Sequence, residues 1–278
     1  MKKISICSIF FTCVVLLSGQ IPYGNNPAAA NYVQTKDALI YYEIYGEGEA
    51  LLLIHGSLYG YIDEFANILP DLSENFRVYA VALRGHGKSE IGDRDYSYDL
   101  FAEDIMQVMD KEKLDSFSIL GFSSGAITAT RIAADHPKRV NRVVSIAGAL
   151  GAMDKRPETL RNQREMSGKM FVQQAKGFVE KRKQIMPEPE RYAEFYDKLQ
   201  AVDLDPDWIG DEDAKHIKPP VFIIGGDRDE YFPVEAFNRM HALIPDSRLL
   251  IIPESGHVAV LLNRSVYLDY AIPFLKNK

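Results

Sequence analysis

The chain has 278 residues, 46% hydrophobic and 26% charged, a globular composition that excludes wholesale disorder and collagen-like repetition. Asp and Glu number 39 against 32 Lys and Arg, giving a formal charge of -7. That is the wrong sign for a protein that neutralises phosphates, so nucleic acid is not an expected partner.

The first element in chain order is a leader. Met1-Lys2-Lys3 is a short cationic start, and residues 4–17 form an uncharged run rich in Ile, Phe, Val and Leu. The run is shorter than the about 20 apolar residues that a membrane span needs. Ala28-Ala29-Ala30 offers an Ala-x-Ala cleavage pattern, with a cut near Gly19 or Gln20 as the alternative. Residues 1–30 therefore read as a signal peptide, with an uncleaved N-terminal anchor helix as the alternative. The mature chain is expected to be secreted or held in the cell envelope, with no stable membrane anchor after cleavage. Both cysteines, Cys7 and Cys13, lie in this leader, so no disulfide is expected in the mature protein.

Past residue 31, short β-branched and aromatic runs alternate with helical periodicity. Residues 38–45 read as a strand stopped by Gly46 and Gly48, and 51–54 as a continuous apolar run suited to a strand buried on both faces. Similar runs occupy 77–82, 117–120, 143–147, 221–224 and 249–252. Between them, residues 100–109 place Leu100, Phe101, Ile105, Val108 and Met109 at helical spacing, with Glu103, Asp104 and Asp110 expected to face outward. Strands alternating with helices imply an α/β fold whose mainly parallel sheet carries helices on both faces.

Residues 153–215 break this rhythm. They hold no convincing strand and are interrupted by Pro187, Pro189 and Pro206. A structureless loop of that length is improbable in a compact domain, so the segment reads as a helical insertion between two parts of one core, 31–152 and 216–278. Its charge is uneven: 154–191 hold ten Lys or Arg against six acids, and 192–215 hold two against eight. Solvated outer helix faces are the preferred reading of this pattern, with a patch for an anionic partner as the alternative.

The sharpest chemical signal is Gly121-Phe122-Ser123-Ser124-Gly125, directly after the strand 117–120 and before the helical run 126–134. A tight strand-to-helix turn lifts Ser123 above the sheet edge, and glycines at 121 and 125 let neighbouring backbone approach. The helix N-terminus behind Ser123 favours developing negative charge. A serine hydroxyl also needs a base. Of the six histidines, His257 follows the last apolar strand and precedes the final helix, on the same sheet edge as Ser123. His55 and His86 sit in glycine-containing loops, His136 at a helix end, and His216 and His241 in polar or helical surroundings. The base in turn needs a carboxylate. The loop Gly225-Gly226-Asp227-Arg228-Asp229-Glu230 supplies it at that edge. Asp229 is preferred and Asp227 is the alternative, because the extra residues carry Asp229 past the strand end before Pro233 starts a helix.

With nucleophile, acid and histidine in the order Ser123, Asp229, His257, the chain resembles the α/β-hydrolase superfamily. Leu53-Ile54-His55-Gly56-Ser57 resembles that family's His-Gly loop, Arg84-Gly85-His86-Gly87-Lys88-Ser89 its turn after the next strand, and Gly226-x-x-Asp229-x-x-x-Pro233 its acid loop. The resemblance covers essentially all of 31–278. It implies an eight-stranded, mainly parallel sheet, a helical cap at 153–215, and an oxyanion hole made by the backbone N–H groups of Ser57 and Ser124. The elbow 121–129 is similar to that of the biphenyl-hydrolase-like (valacyclovir hydrolase-type) esterases, which carry Asp where this chain has Ser124.

The activity implied is that of a serine hydrolase acting on small-molecule esters or lactones through an acyl-enzyme. Cofactor-free haloperoxidase or perhydrolase chemistry and a ligand receptor that keeps the triad are the other readings. No metal or cofactor is expected, since the sequence has neither His-Glu-x-x-His nor a nucleotide fingerprint. Met166, Met170, Phe171, Phe178, Met186, Tyr192, Phe195, Tyr196 and Trp208 are expected to supply the insertion's apolar area, some of it facing an apolar part of the substrate.

Overall fold

The computed structural model describes residues 21–206 and 208–276. The apolar run 4–17 and both cysteines lie outside the described residues. Eight strands form one sheet: β1 (Ala30–Gln34), β2 (Leu39–Tyr45), β3 (Ala50–Ile54), β4 (Arg77–Val81), β5 (Phe117–Phe122), β6 (Val140–Ile146), β7 (Val221–Gly226) and β8 (Ser247–Ile252). Their spatial order is β1-β2-β4-β3-β5-β6-β7-β8. The β1–β2 and β2–β4 pairs are antiparallel, and every later pair is parallel. The interior strands β5 and β7 are buried along their whole length, as their unbroken apolar runs demand once helices cover both faces.

On one face lie α2 (Tyr98–Lys111) and α3 (Ser124–Asp135), and with them α9 (Val234–Leu243). The other face is covered by α1 (Leu69–Ser73) together with α10 (His257–Leu262) and α11 (Arg264–Leu275). The insertion between β6 and β7 folds as α4 (Pro157–Glu165), α5 (Gly168–Gln174), α6 (Lys176–Lys183), α7 (Tyr192–Leu204) and α8 (Asp211–His216). Within it Phe171 of α5 stacks on Tyr196 of α7, with ring centroids 4.6 Å apart. No helix among the described residues is long and apolar enough to cross a membrane.

Three details depart from the sequence expectation. Asp104, expected on the outer face of α2, is buried. It accepts from the Arg84 Nε at 2.7 Å and Nη2 at 2.8 Å, while Asp37 takes the rest of the same guanidinium at 3.2 Å. A buried arginine needs such bidentate partners, and the pairing outweighs the polar pattern of the helix. The C-terminal helix is two helices, broken at Asn263, whose side chain donates to Ser255 Oγ at 2.7 Å.

The third departure concerns the N-terminus. Residue 30, the expected end of the leader, is no structural boundary. It opens β1, a strand whose polar Asn31 and Gln34 hid it from the apolar-run criterion. Upstream of it, the N–H groups of Gly24 and Asn26 donate to the buried carboxylate of Glu43 at 2.8 and 2.9 Å. Tyr61 donates its hydroxyl to the Gly24 carbonyl at 2.5 Å, and Ile44 N–H reaches the Ala29 carbonyl at 3.2 Å.

Candidate active site

β5 ends at Phe122, and α3 begins at Ser124, leaving Ser123 alone at the turn with φ 54° and ψ -120°. A non-glycine residue at positive φ is strained and persists only where its surroundings hold it. Here Ser123 N–H donates to the Ile146 carbonyl of β6 at 2.8 Å, and its own carbonyl takes the N–H groups of Ala126 and Ile127. A β-carbon on Gly121 would strike the Gly125 carbonyl, and one on Gly125 would strike the Ile54 carbonyl of β3. Glycine is therefore required on both sides of the serine.

The Ser123 hydroxyl lies 2.9 Å from His257 Nε2, and His257 Nδ1 lies 2.7 Å from Asp229 Oδ2. Asp229 is buried, and its other oxygen accepts the N–H groups of Tyr231 and Phe232 at 2.8 and 2.9 Å. The imidazole packs against Tyr231 and Phe122, and its backbone N–H donates to Glu230 at 2.8 Å. All three residues singled out in the sequence thus meet at one sheet edge, with His257 as the first residue of α10 rather than in the preceding loop. Asp227, the alternative carboxylate, accepts the Ser255 N–H at 3.2 Å and braces the histidine loop from behind. With the buried Asp229 carboxylate accepting the Nδ1 proton, Nε2 is left as the acceptor facing the serine, the tautomer that satisfies the hydrogen-bond network.

The His-Gly loop lies against the nucleophile: a β-carbon on Gly56 would stand 3.4 Å from Ser123 Cβ. In that loop the Ser57 N–H meets no acceptor among the described residues. Ser124 is the first residue of α3, where N–H groups have no intrahelical acceptor. Both donors named from the sequence therefore belong to the two segments that flank the serine. His55 and His86 hold the loop geometry. His55 Nε2 accepts from Leu83 N–H at 3.0 Å and His86 Nε2 from Leu58 N–H at 3.1 Å, with the rings 4.8 Å apart. Burial pushes His55 down to about 4 and His86 well below its ordinary value, so both serve as neutral acceptors.

Ser123 and His257 open into a cavity of about 120 Å³ whose walls include Phe122, Tyr98, Trp208, Phe232, Glu64 and Lys155. An outer basin of about 760 Å³ adjoins it, sharing Leu58, Tyr59, Gln163 and Tyr231 and adding Phe171 and Tyr196. The polar part of this wall was not foreseen. Lys155 is buried, its ammonium 3.0 Å from both Gln163 Oε1 and the Asp203 carbonyl, 3.7 Å from the Asp203 carboxylate and 5.0 Å over the Trp208 ring. Burial pulls its pKa down. Tyr98 OH lies 3.2 Å from Ser124 Oγ, joining the wall to the elbow. Glu64 accepts the Gly56 N–H at 2.8 Å, and burial pushes its carboxyl up to about 7. No spacing motif marks these residues, because the folding back of α4 and α7 alone brings positions 155, 163 and 203 together.

Comparison with known proteins agrees with this architecture. The alpha/beta hydrolase fold profile matches residues 49–211. A 2-hydroxy-6-oxononadienedioate/2-hydroxy-6-oxononatrienedioate hydrolase of Pseudomonas putida is 27% identical over 267 positions, covering 87% of this chain and 93% of that protein. A solved meta-cleavage product hydrolase of Pseudomonas fluorescens IP01 matches with a TM-score of 0.72 at 21% identity, over 91% of this chain and 99% of that one. A carboxylesterase of Bacillus subtilis matches with a TM-score of 0.71 at 22% identity, over 90% and 92%. The two structural matches are likenesses of fold.

Proposed function

The chain belongs to the α/β-hydrolase family, and from that premise we propose that it is a serine hydrolase of small carboxylic esters or lactones. The supporting observation is the relay from the strained elbow to a buried carboxylate, with contacts of 2.9 and 2.7 Å. Ser123 Oγ attacks the substrate carbonyl while His257 Nε2 takes its proton. Asp229 orients the ring and offsets the imidazolium charge. The N–H groups of Ser57 and Ser124 stabilise the oxyanion as donors already in place before charge develops. Collapse of the tetrahedral intermediate sends the proton from His257 to the leaving alkoxide, and water then hydrolyses the acyl-enzyme by the same steps.

The inner cavity of about 120 Å³ supports a short group on the reacting side, and the adjoining basin gives room for a longer one. The Lys155, Gln163 and Asp203 cluster favours a polar substituent over a plain alkyl chain, because the Lys155 ammonium, with two of its three protons on Gln163 and the Asp203 carbonyl, has a further proton to donate. Helices α4 to α8 act as the cap over this space. Export through the N-terminal leader completes the proposal, with the cut upstream of the segment that covers Glu43.

The deciding experiment is fluorophosphonate labelling followed by a panel of p-nitrophenyl esters of graded length and polarity. Wild-type protein is expected to be labelled on Ser123 and to turn over short esters. Absence of labelling on a folded protein would overturn the assignment.

A further inference from the structure

Resting on the serine-hydrolase reading, we propose that Glu64 is a positioning residue of the oxyanion-hole loop that works with its carboxyl uncharged, so that its ionisation turns acylation down. Two side chains fix the loop from opposite ends. His55 Nδ1 donates to the Gly56 carbonyl at 2.6 Å, and Glu64 Oε2 accepts the Gly56 N–H at 2.8 Å. A trans peptide points its N–H away from its carbonyl. Holding the Gly56 carbonyl on His55 therefore turns the Ser57 N–H of that same peptide away from His55, and the Glu64 bond anchors the residue before it.

Glu64 is more than a remote brace, because it lines the same small cavity as Ser123 and His257. When serine attacks, negative charge develops at the oxyanion donors, next to the loop that Glu64 holds. A carboxylate there opposes that charge, and a neutral carboxyl does not. The imidazolium that forms alongside is already matched by Asp229, so a second anion adds little to it. At an effective dielectric near 20, like charges several ångströms apart slow the step by about tenfold or more. The charged groups around Glu64 are few. Asp63 on the same turn pushes it up, and Arg182 from α6, 3.3 Å from Asp63, pulls it down; Lys155 and His257 stand on other walls of the cavity. Burial outweighs them and holds the carboxyl up at about 7, so it changes charge within the working range.

The test is the second-order rate of Ser123 labelling by a neutral fluorophosphonate between pH 5 and 10, in wild type, E64Q and R182M. In wild type the rate is expected to rise as the base becomes neutral and then to fall above about pH 7 as Glu64 ionises. E64Q keeps an oxygen for the Gly56 N–H and cannot ionise, so its alkaline fall should vanish, leaving it about tenfold faster than wild type at pH 9. R182M removes a cation that favours the carboxylate, and its fall should move to higher pH. An E64Q profile lowered by one factor at every pH, with the wild-type shape, would mean a merely structural contact and overturn the proposal. Should E64Q fail to fold, an unshifted fall in R182M overturns it instead. Wild-type protein that is never labelled sinks the serine-hydrolase reading itself, a result distinct from an unaltered pH profile.

Discussion

The two sides of the catalytic cavity are built by different means. One side is the sheet edge, where Ser123, Asp229 and His257 each stand just beyond a strand end. The other is the insertion wall, where Lys155, Gln163 and Asp203 come from a loop and two helices and meet only because the helices fold back. Strand ends are fixed by the hydrogen-bond ladder, so their side chains converge whatever the loops contain. The wall has no such frame, and its composition is free to set what the cavity accepts. Chemistry on the first side and selectivity on the second is the division that the following experiments press on.

The largest effect belongs to the sheet edge. S123A should lower ester turnover by about a thousandfold or more, since removing a nucleophile leaves only binding and the oxyanion donors. D229N should cost nearly as much by presenting His257 in the wrong tautomer. Neither substitution should lower the melting temperature by more than a few degrees, and S123A relieves nothing but a side-chain hydroxyl at a strained turn. Steady-state kinetics with a p-nitrophenyl ester, read beside thermal melts, checks both. Retained turnover in S123A would break the division at its base.

The next effect sharpens where the sheet itself begins. Deleting residues 1–20 should leave the fold intact, whereas deleting 1–30 removes the Gly24 and Asn26 N–H groups from the buried Glu43 carboxylate. Each lost donor to a buried charge costs about 1–3 kcal/mol, and at this chain length a loss of 2–6 kcal/mol corresponds to roughly 5–20 °C in melting temperature. Tyr41 and Tyr45 still donate to Glu43 at 2.5 and 2.7 Å, which favours the lower part of that range. Sequencing the N-terminus of exported protein should accordingly find a start upstream of Tyr23. A start at Asn31 would contradict the proposed cut.

What could be read from the chain follows the same division. The elbow, the acid loop and the histidine loop are legible because each is a local pattern: glycines at fixed offsets, an apolar run, then a reactive side chain. The strand β1 is not, since its edge position pairs it on one side alone and leaves it polar. Asp104 looks like a solvent-facing helix residue until Arg84, 20 residues upstream, claims it. The break at Asn263 depends on Ser255. The polar wall is the extreme case: a lysine, a glutamine and an aspartate scattered over the insertion carry no joint signal, and the sequence offers only aromatic and methionine side chains from which to expect an apolar pocket.

The smallest effect is the most direct measure of that wall. Lys155 gives its protons to Gln163 and the Asp203 carbonyl, and it stands more than a hydrogen-bond length from the Asp203 carboxylate. It therefore keeps capacity for a polar substrate group in a cavity shared with Ser123. K155M retains the length of the stem and its packing on Trp208 while removing the charge. Removing one member of a buried ion pair costs stability to the extent that its counter-charge is stranded, and here Asp203 is part-exposed and retains the Gln163 Nε2 at 3.2 Å. Fluorophosphonate labelling of K155M should then stay within about threefold of wild type, because labelling needs only the sheet edge. Between an ester bearing a polar substituent and its alkyl isostere, the kcat/KM ratio should fall by about tenfold, the size of one lost hydrogen bond to a charged group. An equal loss on both esters would place Lys155 with the structural residues and move the control of selectivity to Gln163, Asp203 and Trp208, the other insertion side chains that line the cavity.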